Sequence, residues 1–223
     1  MLLLAVDTSG KDGSIALAQC GSGDACRIVE VSNLEGGTFS AQLIPQIAVL
    51  LTKHGFTKND IAAFAVASGP GSFTGLRIGL AAIKALAEVL ERPIAAVSLL
   101  EAIATEGPWQ GKVTTALDAG RSEVYVGEYE INASGTRLLG ERLLSRDEWL
   151  EAERNLIVTP DAVIAHAAVA KGMRVEQILR PRSDVIARLG WMKIATGETI
   201  SAEALEANYV RRSDADLFSK GNR

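Results

Sequence analysis

Two periodicities of apolar residues alternate along this chain. Residues 2–6 are an unbroken apolar run closed by Asp7, the polar turn Thr8-Ser9-Gly10-Lys11-Asp12-Gly13 follows, and residues 14–18 return as a second strand. Residues 27–32 predict a third strand, so the opening reads as an antiparallel meander. The period then lengthens. Leu43, Ile44, Ile47, Ala48, Leu50 and Leu51 fall on an arc of about 160° in a helix over 41–54 closed by Gly55, wider than a helix covered on one side requires. Residues 64–67 predict a short buried strand and 75–91 a long apolar helix; 93–97 form a fifth strand and 98–105 a short helix. The order is βββαβαβ.

The strand at 64–67 and the helix at 75–91 are joined by Ser68-Gly69-Pro70-Gly71-Ser72-Phe73-Thr74-Gly75-Leu76-Arg77-Ile78-Gly79. Glycines at 69 and 71 open the backbone, Pro70 stiffens the turn, and Ser72 or Thr74 supplies a cap for the helix. Two readings stay open: an anion site on the exposed N–H groups, or a tight connection with glycines for close packing. The loop lacks the Gly-Lys-Ser/Thr ending of a Walker loop, and the strand at 94–97 is followed by Ser98 and Leu99, not by the acidic residue of a dinucleotide fingerprint. On the helix, Arg77, Lys84, Glu88 and Glu91 form one narrow polar stripe. Gly71, Gly75 and Gly79 recur every four residues and give its first turns a smooth face for another helix or strand.

After Gly107-Pro108 the opening repeats. Ala116-Leu117-Asp118-Ala119-Gly120-Arg121, followed by Glu123-Val124-Tyr125-Val126, resembles Leu4-Ala5-Val6-Asp7-Thr8-Ser9 and its returning strand, which predicts an internal duplication. The domains expected are residues 1–107, an N-terminal lobe carrying the helices at 41–54 and 75–91, and 108–223, a smaller C-terminal lobe. The second lobe continues with a strand near 137–142, a helix that Ser145 caps, strands at 156–158 and 175–179, and a helix over 184–196. Residues 215–223 are expected to be a disordered tail.

Composition narrows the function. With 223 residues, 48% hydrophobic, the chain has material for a large core, and a net charge of -4 gives no global reason to bind nucleic acid. The apolar N-terminus has no basic leader and meets Asp7 early, so a cytoplasmic protein is expected. Cys20 and Cys26 flank a hairpin-like turn, and free thiols are expected. His54 and His166 have no second ligand at helical spacing, so each reads as a surface or cap residue.

Two lobes that each open on strand-Asp-turn-strand resemble the actin, hexokinase and sugar-kinase superfamily. The fold class implied is α/β: a two-lobed ASKHA, ribonuclease-H-like fold of duplicated βββαβα units. In that superfamily the hairpin turns grip the phosphates of ATP, which makes Asp7, Thr8, Asp118 and Gly120 the candidate nucleotide contacts. Within it, Asp7-Thr8-Ser9, the glycine loop, Leu117-Asp118-Ala119-Gly120-Arg121 with Glu123-Val124-Tyr125, and Tyr209-Val210-Arg211 are similar to the TsaB (YeaZ) family. The resemblance implies a non-catalytic scaffold for making N6-threonylcarbamoyladenosine beside the anticodon of tRNAs reading ANN codons. Its implied partners are the metal-bearing paralogue TsaD in a heterodimer, the ATPase TsaE, and tRNA through the complex; the isolated chain is expected to form a homodimer. No cofactor of its own is implied, ATP and Mg entering only in the complex.

The family's paired lobes meet through N-terminal helices. Here that points to Leu43, Ile47, Leu50, Leu51, Gly75, Leu76, Gly79 and Ile83 as the docking surface, with bulk at Gly75 or Gly79 expected to block pairing and leave the fold largely intact. The paralogue's metal-holding histidines have no counterpart: Phe39, Ser40, Gln42 and Gln46 stand in the corresponding helix, and relatives carry His-Ser where this chain has Phe39-Ser40. No metal ligand or catalytic residue is expected. One alternative is a stand-alone kinase or ATPase with Asp7 and Asp118 around Mg-ATP, against the reading of both as turn caps. A peptidase centred on Ser72 lacks an evident base. Arg180, Arg182, Arg211 and Arg212 read as solvated surface charge.

Overall fold

The computed structural model describes residues 1–21, 25–133 and 135–208; the readings at 22–24, at Tyr209, Val210, Arg211 and Arg212, and for the tail at 215–223 lie outside the described residues. The chain divides into two units. Of the described residues, 1–102 and 181–207 form the first, and 103–180 with Asn208 form the second.

The first unit runs β1 (Leu2–Asp7), β2 (Gly13–Cys20), β3 (Cys26–Leu34), α1 (Phe39–Lys53), a 3-10 turn (Lys58–Asp60), β4 (Ile61–Gly69), α2 (Phe73–Leu90), β5 (Ile94–Ser98) and the start of α3 (Leu99–Ala104), whose last two residues fall in the second unit. Its sheet has the order β3-β2-β1-β4-β5. The meander pairs antiparallel and β1, β4 and β5 pair parallel, as the crossover helices α1 and α2 require. The second unit runs β6 (Gly111–Gly120), β7 (Glu123–Asn132), β8 (Gly135–Ser145), α4 (Arg146–Ala152), β9 (Leu156–Thr159), α5 (Ala162–Ala170) and β10 (Val175–Gln177). Its sheet, β8-β7-β6-β9-β10, repeats the first strand for strand, with the same mixture of antiparallel and parallel pairs. The duplication read from one hairpin therefore extends through the whole topology.

The two faces of the first sheet carry different side chains. Leu4, Val6, Ile15, Leu17, Phe64, Val66 and Ile94 join Leu43, Ile47, Leu50, Leu76 and Ile83 of α1 and α2 in one core. Alternate residues point the other way. There Ala16, Ala5, Ala65 and Ala95 are register partners across four strands and make a row of methyl groups. Helix α6 (Ser183–Ala195) lies on that row, and a Cβ added to Gly190 would fall 2.3 Å from the Ala65 Cβ. Helix α6 contacts every strand of this sheet. The boundary expected at residue 107 is thus corrected at its C-terminal end: residues 181–207 return to the first unit because its alanine face is shaped for a closely packed helix.

The close approach has a measurable cost if disturbed. Gly190→Val is expected to lower stability by about 1–3 kcal/mol through overpacking against Ala65. Gly190→Val, Ala65→Gly should recover part of that loss, read as the chemical-denaturation midpoint.

Candidate functional site

The glycine helix is organised by its contact with the first hairpin turn. Asp7, Thr8 and Ser9 are all buried. The Asp7 carboxylate accepts the Ser9 N–H at 2.8 Å, so its charge closes its own turn. Thr8 Oγ1 donates to the Gly75 carbonyl at 2.7 Å, and Ser72 N–H donates to the Ser9 carbonyl at 2.7 Å. Ser72 caps α2 by accepting the Gly75 N–H at 3.3 Å.

The glycines make this contact possible. A Cβ would lie 2.3 Å from the Ser9 carbonyl oxygen at Gly71, 2.0 Å from the Thr8 carbonyl oxygen at Gly75, and 2.3 Å from Thr8 Oγ1 at Gly79. The smooth face predicted for α2 is occupied by the chain's own turn. Bulk at Gly75 or Gly79 would therefore lift the Thr8 turn off α2 before it met any partner, which corrects the expectation of an intact fold.

The second unit builds a counterpart differently. Asp118 Oδ1 accepts the Gly120 N–H at 3.2 Å, the same short turn as at Asp7, but Asp118 and Gly120 are exposed. Asp161, which precedes α5, accepts the Asp118 N–H at 2.7 Å and so ties turn to helix start with a carboxylate where the first unit uses glycine contact. Gly120, Arg121 and Ser122 are consecutive left-handed residues with φ of 71°, 54° and 61°. Each of the four candidate residues thus has a turn role within its own unit.

The docking residues expected from the family resemblance need correction. Leu43, Ile47, Leu50, Leu51, Leu76 and Ile83 are buried in the first unit's core, and Gly75 and Gly79 are buried beneath Thr8. They touch their own sheet, so they offer a partner nothing. The surplus apolar surface lies on the opposite side of the same helices. On α1 it is Ala41, Ile44, Pro45, Ala48 and Val49, with Ile44 49% and Val49 61% exposed. On α2 it is Ala81, Ala85 and Val89, with Phe73 at the helix start beneath the Arg77 guanidinium at 3.7 Å. The two helices pack against each other, and on each of them these residues are exposed on the side away from the core. Pro45 has no N–H to give the Ala41 carbonyl, and both lie on that face.

His54 sits at the C-terminus of α1 against Glu30, 2.7 Å away, and Lys53 reaches the same carboxylate. The Lys53 ammonium, with His54, holds the Glu30 carboxyl below its ordinary range. His166 is exposed on α5, and Phe39 is a buried core residue that also packs over Gly13. Among the described residues no cluster of three His, Cys, Asp or Glu could hold a metal ion, and no helix is long and apolar enough to cross a membrane.

The duplicated βββαβα architecture is that of an ASKHA-type protein. Residues 36–186 match the family described as TsaD: tRNA N6-adenosine threonylcarbamoyltransferase, and the chain belongs to that family. Over 97% of its length it is 29% identical to the tRNA threonylcarbamoyladenosine biosynthesis protein TsaB of Bacillus subtilis (strain 168), covering 96% of that relative. It is likewise 29% identical to TsaB of Escherichia coli (strain K12), with 96% of each chain covered. The structure of YeaZ from Pseudomonas aeruginosa superposes with a TM-score of 0.74 at 27% identity, covering 94% of this chain and all (100%) of that one.

Core and outward positions should separate cleanly. Ile83→Ala is expected to cost about 2–5 kcal/mol of stability and Thr8→Val about 0.5–1.5 kcal/mol, the latter by removing the buried hydroxyl's bond to the Gly75 carbonyl, which keeps its place in the helical ladder. Val49→Ala should stay within about 0.5 kcal/mol of the parent in the same denaturation assay.

Proposed function

We propose that this chain is the non-catalytic scaffold subunit that pairs with a TsaD-type transferase in forming N6-threonylcarbamoyladenosine next to the anticodon of tRNAs reading ANN codons. The observation that carries the reading is the outward apolar face of α1 and α2, on a chain similar to TsaB proteins along almost its whole length. Ile44, Ala48 and Val49 on one helix and Ala81, Ala85 and Val89 on the other present small and branched apolar groups, the surface a partner helix pair packs against. A TsaE-type ATPase joins the pair, tRNA is reached through the complex, and ATP and Mg enter there. In isolation the same face brings two copies of the chain together.

The role of the chain in the reaction is tested by reconstitution from tRNA, threonine, bicarbonate, ATP and the remaining proteins, with and without this chain. Modified adenosine, scored by mass spectrometry, is expected only when the chain is present; equal modification without it would overturn the scaffold reading. The face is tested by Ala48→Glu and Ala81→Arg. Each is expected to weaken binding of the TsaD-type partner at least about tenfold, or roughly 1.4 kcal/mol, with the denaturation midpoint unchanged. Undiminished binding by both would remove this surface from the reading.

A further inference from the structure

Cys20 ends β2 and Cys26 opens β3, and the two are register partners across the hairpin. Both backbone groups of Cys20 are used by Met1 on the β1 side: the Met1 ammonium donates to the Cys20 carbonyl at 2.6 Å, and the Met1 carbonyl accepts the Cys20 N–H at 2.9 Å. Toward β3 it is Gly21 N–H that donates, to the Ala25 carbonyl at 2.8 Å. Cys20 and Cys26 are therefore a non-hydrogen-bonded pair, the antiparallel position whose Cα atoms stand about 4.5 Å apart and whose side chains come closest. That spacing falls within the range of about 4.4–6.8 Å that a disulfide spans.

The two thiols share the face covered by α6. Their Sγ atoms are in contact at 2.7 Å, and Cys26 Sγ lies 3.9 Å from the Ala187 carbonyl oxygen. Both are free cysteines. Cys20 is buried and Cys26 half-buried, so a small oxidant meets Cys26 first.

We infer that Cys26 and Cys20 form an oxidative modification site, with Cys26 the thiolate that attacks a hydroperoxide and Cys20 the thiol that resolves the product into an intrachain disulfide. The electrostatics agree with this division. Hydrogen bonding from Cys20 lowers the Cys26 thiol pKa below its ordinary value, burial opposes the effect, and the Arg188 charge assists it. The same hydrogen bond, followed by burial, raises that of Cys20, which stays protonated until it attacks.

The chemistry balances in two steps. Cys26 sulfur attacks the terminal peroxide oxygen, the O–O bond breaks, the alkoxide or hydroxide leaves and takes up a proton, and sulfur is oxidised by two electrons to a sulfenic acid. Cys20 sulfur then attacks Cys26 sulfur: the S–S bond forms, the S–O bond breaks, and water leaves with the Cys20 proton. Two thiols and one hydroperoxide give one disulfide, one water and the alcohol, or a second water from hydrogen peroxide.

The test exposes the reduced full chain to hydrogen peroxide and follows thiol loss and peptide mass. Both thiols are expected to disappear together, with a cross-linked peptide joining Cys20 to Cys26 that dithiothreitol reverses. In Cys20→Ser the sulfenic acid should accumulate at Cys26 and be trapped by dimedone; in Cys26→Ser the remaining thiol should react at least about tenfold more slowly than Cys26. Differential alkylation of the unmodified chain gives the same comparison without a variant that must fold. Both thiols still alkylatable after peroxide treatment, disulfides only between molecules, or equal reactivity of Cys20 and Cys26 would overturn the assignment.

Discussion

The first unit depends on the seating of the Asp7-Thr8-Ser9 turn on the start of α2. Three glycines leave no room for a side chain between turn and helix, and Thr8 and Ser9 use the approach to bond Gly75 and Ser72. That contact fixes the direction in which α2 leaves β4. Helix α1 packs beside α2 on the same core, with Leu43, Ile47, Leu50 and Leu51 turned inward. A buried hydroxyl bonded to a helix carbonyl is specific in a way that apolar packing is not, because the Thr8 hydroxyl would be buried without a partner if the turn shifted on the helix. The second unit reaches the same end with Asp161 holding the Asp118 N–H, and its turn stays exposed. One topology thus tolerates two ways of pinning a hairpin to a helix start.

Much of this architecture is legible in the chain. The meander, the glycine loop, the two crossover helices and the repeat at Asp118 follow from period, turn residues and position, and the strand orders of the two sheets agree with the βββαβα reading. The side of each helix is not legible in the same way. An arc of about 160° on α1 says that the helix is apolar beyond the needs of one sheet, but not which edge of the arc meets that sheet. Leu43, Ile47 and Leu50 have the bulk to fill the space above the strands, and Ile44, Ala48 and Val49 are left outward. Size separates Ala48 and Val49 from the core leucines, but Ile44 is as large as Ile47 and is outward by its place on the helix alone.

The placement of α6 escapes a reading that follows chain order, because residues 181–207 return to a sheet completed some eighty positions earlier. The signal lies in the strands. Leu4 and Val6 bracket Ala5, Ile15 and Leu17 bracket Ala16, and Phe64 and Val66 bracket Ala65, so one face is bulky and the other is alanine-rich at its middle, with Leu3 and Val97 to either side. A sheet face of alanines calls for a helix at short distance, and Gly190 in the middle of α6 is the complementary feature. Helix α6 also covers the thiol edge of the β2–β3 hairpin, where the Cys26 sulfur approaches the Ala187 carbonyl.

The outward face of α1 and α2 follows from the same packing logic. A helix pair that has filled its core with leucines and isoleucines gains nothing for its own fold from Ile44, Val49 or Val89 at the surface, where charged residues would serve solubility better. The polar stripe runs through Arg77, Lys84 and Glu88 of α2 to its C-cap, Glu91, and Lys84 is drawn back toward the Glu203 carbonyl of the returning segment at 3.5 Å. Alanines at 48, 81 and 85 keep the surface low, so that another helix can come close, while Ile44, Val49 and Val89 stand up as ridges. Small residues between branched ones on two adjoining helices make a grooved surface, and covering it would remove apolar area from water without displacing any side chain of the core.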